Sequence, residues 1–187
     1  MENNNVLRIG EVITKIVEIF HWVAAIIMAA ATVCTLTAPS IVKYFVGITP
    51  IEGYGAPVDV YGFEMVLPVT QGTIDPTALF LFGIGAVIIL ILMAMVFRNM
   101  HLMIKKSKEG SPFQKDCIRM LKEVGIFSIA VPVVGLIMSV ITRLVLGQDA
   151  VETSVNLYGI CMGIVVFCLT QFFIHGASLQ EDVDGLL

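Results

Sequence analysis

The chain has 187 residues, of which 57% are hydrophobic and only 14% charged, with a mean hydropathy of +0.92; soluble domains carry about a quarter charged residues, so a soluble globular fold is excluded and an integral membrane protein is expected. The net charge of −4 describes no single surface, because the bases gather in one central stretch and most acids lie outside it. Cys34, Cys117, Cys161 and Cys168 form no CxxC pair, which argues against a zinc site or a disulfide scaffold. They read as free thiols acting as small apolar residues, although Cys34 and Cys161 both fall towards the outer ends of their helices, where a bridge is geometrically conceivable.

A helix crossing a hydrocarbon core of about 30 Å needs roughly 20 apolar residues, and four stretches meet that length. The first spans about residues 16–38, IVEIFHWVAAIIMAAATVCTLTA. Its apolar part exceeds the roughly 7 to 15 residues of a signal-peptide core, so a retained helix is expected. Residues 39–76 follow as a long loop with one base, Lys43, and four acids, Glu52, Asp59, Glu64 and Asp75. The lack of positive charge places it outside. Its aromatic and β-branched content is too high for a disordered linker, and Val58 to Val69 reads as two short strands meeting near Tyr61-Gly62.

The second span, 78–97, carries no charge and ends at Arg98. The connector 98–123 then holds Arg98, Lys105, Lys106, Lys108, Lys115, Arg119 and Lys122, seven of the eleven bases, which assigns it to the cytoplasm and orients every other segment. Ser111-Pro112 reads as the cap and first residue of an amphipathic helix lying at the inner membrane surface before it turns into the third span, 124–146. In that span Gly125, Ser128, Pro132, Gly135, Ser139 and Thr142 or Arg143 recur every three or four residues, a stripe suited to close helix packing. Pro132 predicts a kink. After a loop at 147–154, the fourth span at 155–177 contains Gly159 and Gly163, a GxxxG step expected to pack on that stripe. An acidic tail, 178–187, ends the chain. The expected architecture is therefore an all-α membrane protein, a four-transmembrane-helix bundle with both termini cytoplasmic and a folded outer loop between helices 1 and 2, built as a single domain.

Gly110-Ser111-Pro112-Phe113 opening an amphipathic helix, together with Phe172-Phe173-Ile174-His175-Gly176 leading into Leu179-Gln180-Glu181-Asp182-Val183-Asp184-Gly185, resembles the bacterial four-span membrane family called domain of unknown function 2975. The resemblance covers mainly residues 98–187. It implies location in a bacterial inner membrane and a role in regulation, since members are often encoded beside a small helix-turn-helix regulator. It also implies that Pro112-Phe113 and the stretch from Gly176 onward form one cytoplasmic feature. It hands over no catalytic residues.

Several polar groups stand out as candidate sites. Glu18, His21, His101, Gln171 and His175, with Asn99, all fall near the inner leaflet, and ionisable groups at membrane depth are costly enough to be functional candidates. Metal or haem ligation and protonation sensing are the chemistries such a cluster offers. No HxxxH spacing connects its members, and the single ExxH step, Glu18 to His21, brings in none of the other histidines, so a structural polar cluster is expected and no cofactor. Arg143, the only base within a span, is expected to form an outer ion pair, either with Glu64 or Asp75 or by snorkelling to Asp149 or Glu152. Phe113, Arg119, Gln180, Asp182 and Asp184 form a candidate partner surface, and the acidic tail is expected to meet Lys105 to Lys108. Gly135, Ser139, Gly159 and Gly163 are the helix-packing residues. The basic connector is explained by topology and anionic lipid without direct nucleic-acid binding.

No GxSxG, HExxH, Walker or dinucleotide motif occurs, so no enzyme is expected. The sequence points instead to a sensory or regulatory membrane protein acting on a small cytoplasmic DNA-binding regulator. The alternative is a small transport, export or self-protection component that binds a peptide or lipid through its outer loop. The lipid bilayer is its expected surrounding, with a homo-oligomer also open.

Overall fold

The computed structural model describes residues 2–37, 55–70, 73–109, 113–147 and 152–185. Among these, helix α1 runs Glu2–Thr37, strands β1 Ala56–Val60 and β2 Phe63–Leu67 follow, and β3 Val69–Thr70 pairs with β4 Thr73–Ile74. Then come α2 Pro76–Glu109, α3 Lys115–Leu146, β5 Glu152–Val155 and α4 Tyr158–Asp184. All four helices are long and apolar enough to cross a membrane. Residues 38–54 of the expected outer loop, and Ser111-Pro112 of the expected cap, lie outside the described residues.

The helices are longer than the expected spans. α1 has 36 residues, about 54 Å at about 1.5 Å per residue, and begins well before residue 16. The connector is mostly helix: α2 continues through His101 to Glu109. The surface helix expected before the third span does not turn, because α3 is one helix from Lys115 to Leu146 that passes through Pro132. The tail is helical to Asp184. Hydropathy marks where hydrocarbon ends, whereas the hydrogen-bonded ladder continues through Lys, Arg and Glu, all good helix formers. Asp75 starts α2 by accepting the amide hydrogens of Thr77 and Ala78 at 2.7 and 3.1 Å, ahead of Pro76 at the first helical position.

The faces of α1 are reversed relative to a soluble protein. Its buried residues include Thr14, Glu18, His21, Thr32 and Thr35, while Val6, Ile9, Ile13, Ile16, Phe20, Val23 and Ile27 are exposed. In water the branched aliphatic stripe would be the one buried. In a bilayer, lipid covers that stripe, and the polar stripe must find partners within the protein or along its own backbone. Thr14 and Thr32 donate to the carbonyls of Gly10 and Met28 at 2.8 and 2.7 Å, and Thr35 donates to that of Thr32 at 2.7 Å.

The chain divides into two compact units. The first comprises Met1–His21, Leu92–Ala130 and Tyr158–Leu187, and the second Trp22–Ile91 with Val131–Leu157. In the second unit the strands form a sheet of order β1-β2-β5, antiparallel throughout, with Val60 opposite Phe63 and Phe63 opposite Val155. Tyr61 (φ 49°) and Gly62 (φ 82°) form the two-residue turn, whose left-handed conformations match a hairpin's twist. Phe63, Met65 and Leu67 alternate into the core and stand at most 1% exposed. Phe63 stacks on Phe82 at 5.6 Å between ring centroids and reaches Gly85 and Gly135. Glycine is required where α1 meets α2: a Cβ on Gly83 would stand 2.2 Å from the Thr32 hydroxyl.

In the first unit α3 and α4 meet through small residues. A Cβ on Gly163 would lie 2.3 Å from Ile129 and 2.9 Å from the Gly125 carbonyl oxygen, so the GxxxG step packs on the stripe only at its Gly125 end. Gly135 and Ser139 face the sheet instead: Gly135 lies against Val155, and Ser139 shares a hydrogen bond with Thr153. Gly159 is half-buried. The expected loop at 147–154 therefore contains most of a strand, and that strand takes the place on α3 assigned to the fourth span.

Candidate functional site

The first unit holds the polar cluster, but not as one constellation. Glu18 and His21 are 6% and 3% exposed. Lys15, one turn earlier on α1, reaches Glu18 at 3.0 Å. His21 donates through Nδ1 to the Val17 carbonyl at 2.7 Å, the tautomer a carbonyl partner requires, and its ring stacks on Phe97 at 5.2 Å. Asn99 is buried and donates to Glu123 at 2.9 Å, linking α2 to α3. His101 is half-buried, with Nδ1 3.2 Å from the Glu11 carbonyl. Gln171 and His175 are exposed and so are not brought into the buried group. Among the described residues no set of three or more His, Cys, Asp or Glu side chains is arranged to hold a metal ion, and all four cysteines are free thiols.

The same unit contains the residues of the candidate partner surface, of which Phe113 is packed against α4. Its ring lies 5.6 Å from that of Phe173, and a Cβ on Gly176 would meet it at 2.6 Å. The start of α3 is thus seated on α4 at a position where any larger residue would displace the Phe113 ring. Arg119 lies 3.7 Å from Glu123 across one helical turn. Gln180 and Asp182 are exposed on α4, and Asp184 is its last residue. Among the described residues no ion pair joins the tail to this stretch: Lys106 pairs with Asp116, and Lys108 with Glu11. Those carboxylates belong to helices already beside α2, so pairing costs less ordering of the chain than recruiting a terminus.

In the second unit Arg143 holds the sheet to α3. Its Nε donates to the Thr153 hydroxyl at 3.0 Å, and a terminal nitrogen donates to the Thr153 carbonyl at 2.9 Å. The Asn156 amide donates to the Gly62 carbonyl, so in an antiparallel ladder the even-numbered residues of this segment bond towards β2 and the carbonyl of Thr153 points away. Arg143 covers that open edge. An ion pair was expected here; among the described residues the partner is Thr153, and Glu64 instead accepts from Ser154 at 2.7 Å. Asp149 lies outside the described residues. The outward sheet face presents Asp59 directly opposite Glu64, with Tyr61 46% exposed at the turn. Partial burial pushes the Tyr61 hydroxyl pKa up.

No protein-family model, curated protein or solved structure matches the chain.

Sequence reasoning overlooked Thr153, and it placed Thr142 on the small-residue stripe without marking it as isolated. The alternation of Glu152, Thr153, Ser154 and Val155, exposed and half-buried in turn, is a strand signal, but only four residues long. Thr142 is fully buried, and among the described residues its hydroxyl has no hydrogen-bond partner. Its place on the Ser139 side of α3 was visible; its isolation was not.

Proposed function

We propose that this is a non-enzymatic multi-pass protein of a bacterial inner membrane, with both termini cytoplasmic, that receives a signal at its extramembrane sheet or from the bilayer and passes it to a small cytoplasmic helix-turn-helix regulator. The observation that carries this reading is the double anchoring of α3. Arg143 near its C-terminal end is bonded to β5, and Phe113 just ahead of its N-terminal end is seated on Phe173 and Gly176. Both contacts belong to one stretch of chain, since α3 is a single helix from Lys115 to Leu146. The excess of bases in residues 98–123 supports a cytoplasmic location for the part that holds Phe113.

Photocrosslinkers placed at Phe113 and Gln180 in native membranes test the reading. Capture of a small DNA-binding protein supports it; capture of only the chain itself, lipid or a larger membrane complex overturns it. Deleting residues 179–187 is expected to abolish that capture while leaving membrane insertion intact.

Tyr61 favours a second reading. A bulky aromatic held at φ 49° is an uncommon conformation that costs about 1 to 2 kcal/mol, and such outliers cluster where a side chain is needed for contact. In that reading the hairpin binds a peptide or lipid as part of a transport, export or self-protection system. Replacing residues 50–69 with a Gly/Ser linker would then destroy transport or resistance while cytoplasmic capture continued.

A further inference from the structure

The end of α4 carries an apolar surface beyond the point where it packs beside the charged start of α3. Gly163 lies against Gly125 and Ile129, and Gly176 lies against Phe113. The two helices are therefore antiparallel, with residues 163–176 of α4 beside 113–129 of α3. That stretch of α3 holds Lys115, Arg119 and Lys122, all exposed, and such charges mark the water side of a membrane boundary. Leu179 and Val183 lie beyond Gly176 by about 4.5 and 10.5 Å along the axis, past the first turn of α3. They are nevertheless 53% and 58% exposed, and they continue the outward line of Phe172.

The charges around them are also unbalanced. No Lys or Arg occurs from Tyr158 to Leu187, while Glu181, Asp182 and Asp184 crowd the last turns of α4. That is the negative end of the helix macrodipole, where cations are favoured and anions are not. Among the described residues neither Glu181 nor Asp182 has an ion-pair partner.

We infer that the last two turns of α4 are a docking surface for a basic amphipathic helix of a partner protein. Leu179 and Val183 seat its apolar side, and Glu181 and Asp182 meet its positive charge. This is the helix-on-helix mode, in which apolar anchors supply affinity and charges supply register and on-rate. The inference deepens the regulatory reading and rests on it for the partner's being a separate cytoplasmic protein.

The test uses the full chain in phosphatidylcholine nanodiscs and a fluorescent 18-residue Leu/Lys amphipathic peptide as probe, with empty nanodiscs as the blank. Binding above the blank is expected, weaker at high salt, and reduced about tenfold or more by either double variant, Leu179→Ser with Val183→Ser or Glu181→Lys with Asp182→Lys. Unchanged binding in both variants overturns the inference. So does quenching of a fluorophore at Val183→Cys by brominated acyl chains, which would put lipid on the surface. Disulfide capture between Leu179→Cys copies, in a background lacking the native thiols, overturns it in favour of a second copy. The two levels of the argument separate cleanly. Capture of a DNA-binding protein at Phe113 with normal peptide binding by both variants defeats the docking surface and spares the regulatory reading; variant-sensitive peptide binding without such capture does the reverse.

Discussion

The two units close by different chemistry. The Trp22–Ile91 and Val131–Leu157 unit buries large side chains: Phe63, Met65, Leu67, Phe82 and Ile89 are each 5% exposed or less. Its sheet supplies alternation, and alternation supplies a conventional apolar core. The other unit has no strand among the described residues, and it closes through small and polar groups, with Gly163 against Gly125, Gly176 under Phe113, and Asn99 bonded to Glu123. Where lipid surrounds the protein, apolar area gives little drive for helices to associate, and close backbone approach takes over. The sheet lets one part of a membrane protein keep the packing logic of a soluble one.

Substitutions that act on one logic and not the other sharpen this contrast. Phe63→Ala removes a ring 1% exposed and should cost about 3 to 5 kcal/mol, read as a lower unfolding midpoint in mixed micelles, with α3–α4 crosslinking at Gly163 and Ile129 retained. Gly163→Val is expected to cost about 1 to 3 kcal/mol, because one obstacle to its Cβ is the Gly125 backbone oxygen, which cannot step aside as a side chain can. It should loosen α4 while leaving the sheet intact. If Gly163→Val melts the sheet as readily as α4, the division into two packing regimes is wrong.

Smaller effects probe the links within the second unit. Arg143→Gln gives up charge-assisted hydrogen bonds to Thr153 and should lower local stability by about 1.5 kcal/mol. Hydrogen exchange should quicken at β5 before any other strand. Thr142→Val has the opposite sign. It removes a buried hydroxyl that has no partner among the described residues at nearly constant volume, and should raise the unfolding midpoint by about 1 kcal/mol of stability. A loss of stability there would show that the hydroxyl is satisfied in solution.

The sequence made the helices legible because four apolar runs leave no other fold open to them, and the hairpin legible because Tyr61-Gly62 sits between alternating residues. Helix ends were less legible. Lys105, Lys106 and Lys108 announce water, and water stops a span but not a helix. Strand β5 was hidden for a different reason: it is four residues long, and its partner β2 lies about 90 positions earlier, as in the pairing of Ser154 with Glu64. Without that strand, the small-residue stripe on α3 had only α4 to be assigned to. At the candidate site, burial of Glu18 and His21 could be read from their place in an apolar run, but the exposure of Gln171 and His175 could not, because an apolar neighbourhood in sequence does not say which face meets protein.

The reversed faces of α1 also bear on how the chain enters a membrane. Released alone into lipid, α1 would leave Glu18, His21 and Thr32 without the neighbours that bury them, and ionisable groups within a span are costly. α2 is the next helix to be synthesised, and it carries Phe97, which covers His21, and Gly83, which fits against Thr32. The first helix is therefore expected to be a poor traveller on its own, and its insertion should improve once α2 is present, which glycosylation mapping of chains truncated after residue 55 and after residue 109 would check.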